Sequence, residues 1–240
     1  MNFFPSKQFW IIKMPSYTVV AFIILNVISM YFYPGSNLND LNQVGYRFSH
    51  NFFSDLGMTV TYSNVNNMIS CILFNFSLCL VGFTFGMLFF SNRNLFPNFY
   101  YTSIFATIFG IVGAISFVGV AFTPSNLFID SNGDPWLHVF FAHWIFRSIS
   151  IISVLYSIMI FKTKNFDNKF AYGFIVFGLM VFAYVFYSEF YLEDPRTSPE
   201  FLVNHVLSQK MVVIWLVLSI YFYSIGLGKY LVNYNLNQND

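Results

Sequence analysis

Residues 97–123 read PNFYYTSIFATIFGIVGAISFVGVAFT and contain no charged side chain. As a helix rising about 1.5 Å per residue the stretch is ~40 Å long, enough to cross the ~30 Å hydrocarbon core of a bilayer. Outward from it, five further runs have the same character, near 17–33, 66–91, 136–161, 170–192 and 203–228. The composition agrees: of 240 residues 57% are hydrophobic and 9% charged, where soluble domains carry about 25% charged residues. So few charges cannot screen 34 Phe and 16 Tyr from water. The expected fold is all-α, a polytopic membrane protein built as a six-transmembrane-helix bundle, one membrane domain over residues 1–240.

The connections sort by charge. Lys7, Lys13, Arg93, Lys162, Lys164, Lys169 and Lys229 flank one end of the spans. The other end carries Asp40, Asp55, Asp130, Asp134, Glu193, Asp194 and Glu200, with only Arg47 and Arg196 positive. Lys/Arg excess marks the cytoplasmic side, so both termini are expected there, with a bacterial plasma membrane as the location. Lys7 and Lys13 precede an apolar run without a small-x-small cleavage pattern, so this end reads as an uncleaved anchor, its FFPSKQFWIIK segment at the interface. The tail over 230–240 reads as disordered or peripheral. A net charge of +1 implies no nucleic-acid partner. Cys71 and Cys79 sit about 12 Å apart along one helix, beyond disulfide reach.

Small residues mark where helices approach closely in lipid: Gly82-Phe-Thr-Phe-Gly86, then Gly110, Gly113, Ser116 and Gly119. Packing within the chain is the plainer expectation; a homodimer seam through Gly82 and Gly86 is the other.

Polar groups gather in one half. The stretch HVFFAHWIFRS, His138–Ser148, puts Arg147 near mid-depth, where an arginine costs about 2.5–3.5 kcal/mol and is expected to face the bundle interior with a partner such as Glu189 or Asp55. At about 100° per residue His143, Arg147 and Ser150 form one stripe, with His138 about 140° from His143 on the side of Ala142, Ile145 and Ile149. Nearby ends of other spans bring Glu189, Asn67, Asn75, His205 and Lys210 to the same half. The connection GYRFSHNFFSDLG projects as an amphipathic helix over 46–56, with Arg47, His50, Asn51, Ser54 and Asp55 on one arc and Gly57 as its C-cap. It is expected to float at the interface or to lie as a lid over a cavity.

The Ser54-Asp55-Leu56-Gly57 motif, followed by Asn66-Asn67 at the mouth of one span and Leu137-His138 opening another, resembles the uncharacterised prokaryotic membrane family called domain of unknown function 998 and, more distantly, the DRAM/Sfk group. The resemblance implies an integral membrane protein of about six or seven helices and no established reaction. The chain is also similar in residue types to the alkaline ceramidases and progestin/adipoQ receptors, which place Ser, Asp and three His around zinc; Ser49 or Ser54, Asp55, His138, His143 and His205 match. It departs from them in lacking a last-helix HxxxH and in having six spans.

Three functions follow as expectations. The leading one is a non-catalytic or transport-like role: an outward-facing polar cavity binding a membrane lipid head group or small anion, with charge from Arg147 and Lys210 and orientation from His143, Asn67 and Glu189. The second is a zinc-dependent hydrolase of lipid amides or esters, with His138, His143 and His205 or His50 on the metal and Asp55 handling the proton of bound water. The third is a structural or assembly protein whose inner charges merely pair.

Overall fold

The computed structural model describes residues 9–236 except 165 and 192; the side chains of Glu189 and of residues 232–236 also lie outside the described set. Six α-helices carry the chain: α1 Met14–Phe32, α2 Met68–Asn92, α3 Tyr100–Phe122, α4 Trp136–Lys162, α5 Lys169–Phe190 and α6 Pro199–Leu236. All six spans are long and apolar enough to cross a membrane. Among the described residues there is no strand, only isolated bridges pairing Gly35 with Val44 and Val60 with Asn66. Large apolar side chains such as Tyr101, Phe122 and Phe182 stand exposed around the bundle, as befits helices whose solvent is lipid.

Each helix packs on the next in sequence, and α6 closes against α5 and α1. Small residues set the contacts. A Cβ on Gly82 would lie 2.7 Å from Ala114 O, and one on Gly86 3.3 Å from Ala114 Cβ. The close approach these glycines permit is to α3 of the same chain, so the GxxxG surface is already covered. On the other side of α3, a Cβ on Gly113 would come within 3.3 Å of Ser148 Cβ, and Gly178 of α5 approaches Ser153 Cβ equally closely, at 3.2 Å.

These contacts orient α4 and overturn one expectation. Ser148, Ile149, Ile152, Ser153 and Tyr156 face the core, and Arg147, on the opposite side, is exposed with its guanidinium 5.8 Å from the Trp144 ring centroid. The computed helical stripe is right, but the other side of the helix turns inward. In lipid no hydrophobic force draws the apolar face to the interior, so close packing of small side chains decides instead.

The first span starts earlier than expected. A π-turn over Phe9–Lys13 runs straight into α1, so this segment is part of the span rather than a separate interfacial piece. Pro15 has no N–H to offer the carbonyl of Ile11 four residues back. Ser224 of α6 supplies the donor, its Oγ bonding Ile11 O at 2.7 Å and Ile12 O at 3.1 Å. At the far end α6 continues as helix to Leu236, through most of the tail expected to be disordered or peripheral; residues 237–240 are outside the described set.

Residues 33–67 fold as a compact cap over one end of the bundle. The amphipathic helix expected over 46–56 does not form; the segment is a chain of turns ending in a 3-10 turn at Ser54–Gly57. Polar side chains bind backbone donors locally, and one of these, the Phe52 N–H, is a donor that a helix would spend on Phe48 O. Asn51 Oδ1 accepts from Arg47 N at 3.0 Å and Asp55 Oδ2 from Phe52 N at 3.0 Å, the competition that makes Asn and Asp turn formers. Nor is Gly57 a helix cap. Its Cα lies so close to α2 that a Cβ would sit 2.9 Å from both Asn75 Oδ1 and Phe74 Cδ1.

Candidate functional site

The cap is held by a relay of buried side chains. Asn37 Nδ2 donates to Gln43 Oε1 at 2.6 Å, Gln43 Nε2 to Asn51 Oδ1 at 2.6 Å, and Asn51 Nδ2 to Asp55 Oδ2 at 3.1 Å. Tyr62 OH donates to Asp55 Oδ1 at 2.9 Å, so the carboxylate closes the chain with three donors on it. Asp55 is 1% exposed. Burial raises its pKa to about 6, against the pull of Asn51, Tyr62, the Phe52 N–H and the more distant Lys210 ammonium. Tyr62 is pushed well above its ordinary value, first by burial and then by the charge of Asp55.

Two helices pin this cap. From α2 and its leading turn, Asn67 Nδ2 reaches Met58 O at 2.8 Å and, more loosely, Asp55 O and Leu56 O; Ser70 Oγ donates to Leu56 O at 3.1 Å and Cys71 Sγ to Gly57 O at 3.1 Å. From α6, Gln209 Oε1 accepts from Phe53 N at 3.0 Å, and Lys210 Nζ donates to the carbonyls of Phe48 and Asn51. The rings of Tyr46, Phe48 and Phe53 surround the ammonium at 5.2, 4.7 and 5.4 Å. Lys210 is 1% exposed and, like Asn67, sits behind the cap rather than in a cavity wall. Both residues, expected as ligand contacts, are structural pins.

Beneath and beside the cap lies a cavity of about 850 Å³, within the size range of small-molecule sites. Ser54, Asp55 and Tyr62 of the cap line it, facing His138, His143 and Phe146 of α4. Tyr184 and Ser188 of α5 continue the wall, and the rim carries Asp134, Glu193, Asp194, Arg196 and His205. Arg196 joins two connections by bonding Asp194 through Nε at 2.9 Å and Asp134 through its NH2 group at 3.2 Å. A second, apolar cavity of about 110 Å³ runs down between the helices, lined by Phe22, Leu78, Phe85, Phe117, Leu216 and Ile220 among others. Ser54, His138, Ala142, Phe146 and Gln209 line both cavities and mark the neck where the two adjoin.

The histidines do not assemble as one centre. His138 Nδ1 bonds Thr123 O at 2.7 Å, His205 Nε2 bonds Glu193 O at 2.9 Å, and His50 Nδ1 pairs with Ser49 Oγ at 2.8 Å outside the cavity walls. Among the described residues no three His, Cys, Asp or Glu side chains are placed to share a metal ion. The zinc set of His50, His138, His143 and His205 is therefore not brought together. Arg147 lines neither cavity, and the side chain of Glu189 lies outside the described residues.

Sequence reasoning missed Arg196 as the tie across the rim and Lys210 as the pin of the cap. The first had a signal, a lone arginine among the acids of its end. The second had none, because its acceptors are backbone carbonyls. No family model, no curated protein and no solved structure matches the chain.

Proposed function

We propose that this integral membrane protein binds a lipid-like amphiphile from the outward side, without catalysis, as a receptor or carrier. The head group occupies the larger cavity and the first methylenes of the chain enter the apolar one. The observation that carries this is the neck of Ser54, His138, Ala142, Phe146 and Gln209, side chains common to a polar-rimmed chamber and the apolar slot adjoining it. At about 110 Å³ the slot is smaller than the ~150 Å³ void that admits benzene, so only the start of a chain fits unless α6 yields. The Lys/Arg-rich connections lie at the end opposite the cap, which supports an outward-facing chamber in a plasma membrane with cytoplasmic termini. Arg147 and Lys210 are not walls of the chamber, so Arg147→Ala is expected to leave binding unchanged.

The test is photolabelling in nanodiscs with a tetradecyl amphiphile whose diazirine sits near the head group. Competable label is expected on residues 138–146 and 209–217 and is expected to fall when Leu216→Trp fills the slot. Label confined to lipid-facing positions such as Ile115 and Phe182 would defeat the reading.

A further inference from the structure

Among the described residues no unpaired Lys or Arg side chain lines the chamber. Arg196 is bound by Asp194 and Asp134, Lys210 is enclosed by carbonyls and rings behind the cap, and Arg147 stands on the outer surface of α4. Two carboxylates in the lining, Asp55 and Glu193, have no cation within ion-pair distance among the described residues. At the neck His138 is buried with only 9% of its surface exposed. Its Nδ1 faces a carbonyl, which can only accept, so in the neutral ring Nδ1 carries the proton and Nε2 is an acceptor. That Nε2 has no hydrogen-bond partner among the described residues, and the ring lines both cavities.

Resting on the amphiphile reading above, we propose that the head group this chamber takes is a protonated primary amine, seated at the neck between Asp55, Ser54 and His138. An ammonium brings three N–H donors and one positive charge. The neck offers a hydroxyl oxygen and an imidazole nitrogen, and the chamber wall next to Ser54 offers the Asp55 carboxylate with unused lone pairs. A phosphate or carboxylate head would bring only acceptors to the same place and meet an uncompensated negative charge in a site where water screens it poorly. The buried aspartate thus acts as counter-ion, and the acidic rim of Glu193 and Asp194 raises the local concentration of cations on the way in.

The experiment is native mass spectrometry of the full chain in detergent, titrated with tetradecylamine, tetradecanol or tetradecanoate at about pH 7.5. The amine is expected to bind more than tenfold tighter than the alcohol and the carboxylate more weakly than either. The preference is expected to shrink to under threefold in Asp55→Asn, and in the wild type at about pH 5. There Asp55, flanked by Tyr33, Tyr46, Tyr62 and Lys210 and sharing the chamber with His143 and His205, takes up a proton. An amine bound no tighter than the alcohol overturns the head-group assignment while leaving the amphiphile reading standing. Absence of saturable binding for all three overturns the amphiphile reading itself. Should Asp55→Asn fail to fold, the pH arm and Glu193→Gln decide, and an amine preference unaltered in both refutes the proposal.

Discussion

Replacing Lys210 by Met removes the pin between α6 and the cap while keeping the length and apolar stem of the side chain. Phe48 O then loses the partner that Lys210 gives it, whereas Asn51 O keeps the Tyr46 hydroxyl at 3.1 Å. One bare, part-buried carbonyl costs about 1 kcal/mol, the low end for such a group, and three ring contacts with the ammonium contribute about 0.5–1 kcal/mol each. Against this stands the relief of no longer burying a charge at a site 1% exposed. The net loss is about 2–3 kcal/mol, and because Gln209 remains as a second tie, it falls on local opening of the cap rather than on the bundle. At about 1.4 kcal/mol per factor of ten, amide hydrogen exchange over residues 46–53 is expected to quicken about 30- to 150-fold in Lys210→Met, with α2 and α3 unchanged. Exchange in the cap within threefold of wild type would show that Lys210 bears no weight there. Uniform acceleration through the helices would show that the cap is not a separate opening unit.

Four further outcomes follow from single sites. Gly82→Ala pushes a methyl to within 2.7 Å of a backbone oxygen and is expected to destabilise by about 1–3 kcal/mol. Gly173→Ala, with nothing within 4 Å of its Cβ, is expected to stabilise by up to about 1 kcal/mol through helix propensity, both read from thermal unfolding in detergent. Asp55 holds its proton to about pH 6 when folded but only to 3.8 when free. The folded chain therefore binds a proton that the unfolded chain releases between those values, and this group adds stability as pH falls from 7 to 4, about 3 kcal/mol in full. The stability difference between wild type and Asp55→Asn should change across that window and be flat above pH 7; a flat difference throughout contradicts the burial of a charged carboxylate. Ser224→Ala orphans Ile11 O and is expected to cost about 1–2 kcal/mol, less in a Pro15→Ala background where a helical N–H can satisfy that carbonyl. Additive losses in the double variant would contradict the linkage.

The six spans were legible because crossing lipid demands a length and an apolarity that few other structures need. The sorting of Asp55, His138, His143 and His205 to one end was legible for the same reason, since span direction fixes which residues share a depth. Depth is not azimuth, however. Arg147 and His138 were placed at their correct positions on the α4 wheel, yet which side faces inward depended on Gly113 meeting Ser148 and Gly178 meeting Ser153, contacts that only the assembled helices define. The cap was misread for a different reason. Residues 46–56 have helical periodicity, but Asn51 and Asp55 take backbone donors for themselves, and periodicity does not register that competition. At the opposite end the aromatic cluster of Phe96, Tyr156, Phe166, Phe174, Tyr223 and Tyr230, with Asn92 Nδ2 donating to Tyr223 OH at 3.1 Å, was invisible among so many aromatic residues.

The bond between Lys210 and Phe48 spans 162 residues of chain. At roughly 5–20 residues per second of synthesis, the first extramembrane loop waits about 8–30 s for the helix that fastens it. Until then its carbonyls and the buried aspartate beside them lie open to the surroundings, however well the earlier helices have inserted. A nascent chain stalled before its sixth span displays an unfastened loop at that end of the bundle, so completion of biogenesis is legible there to any protease or chaperone that reaches it.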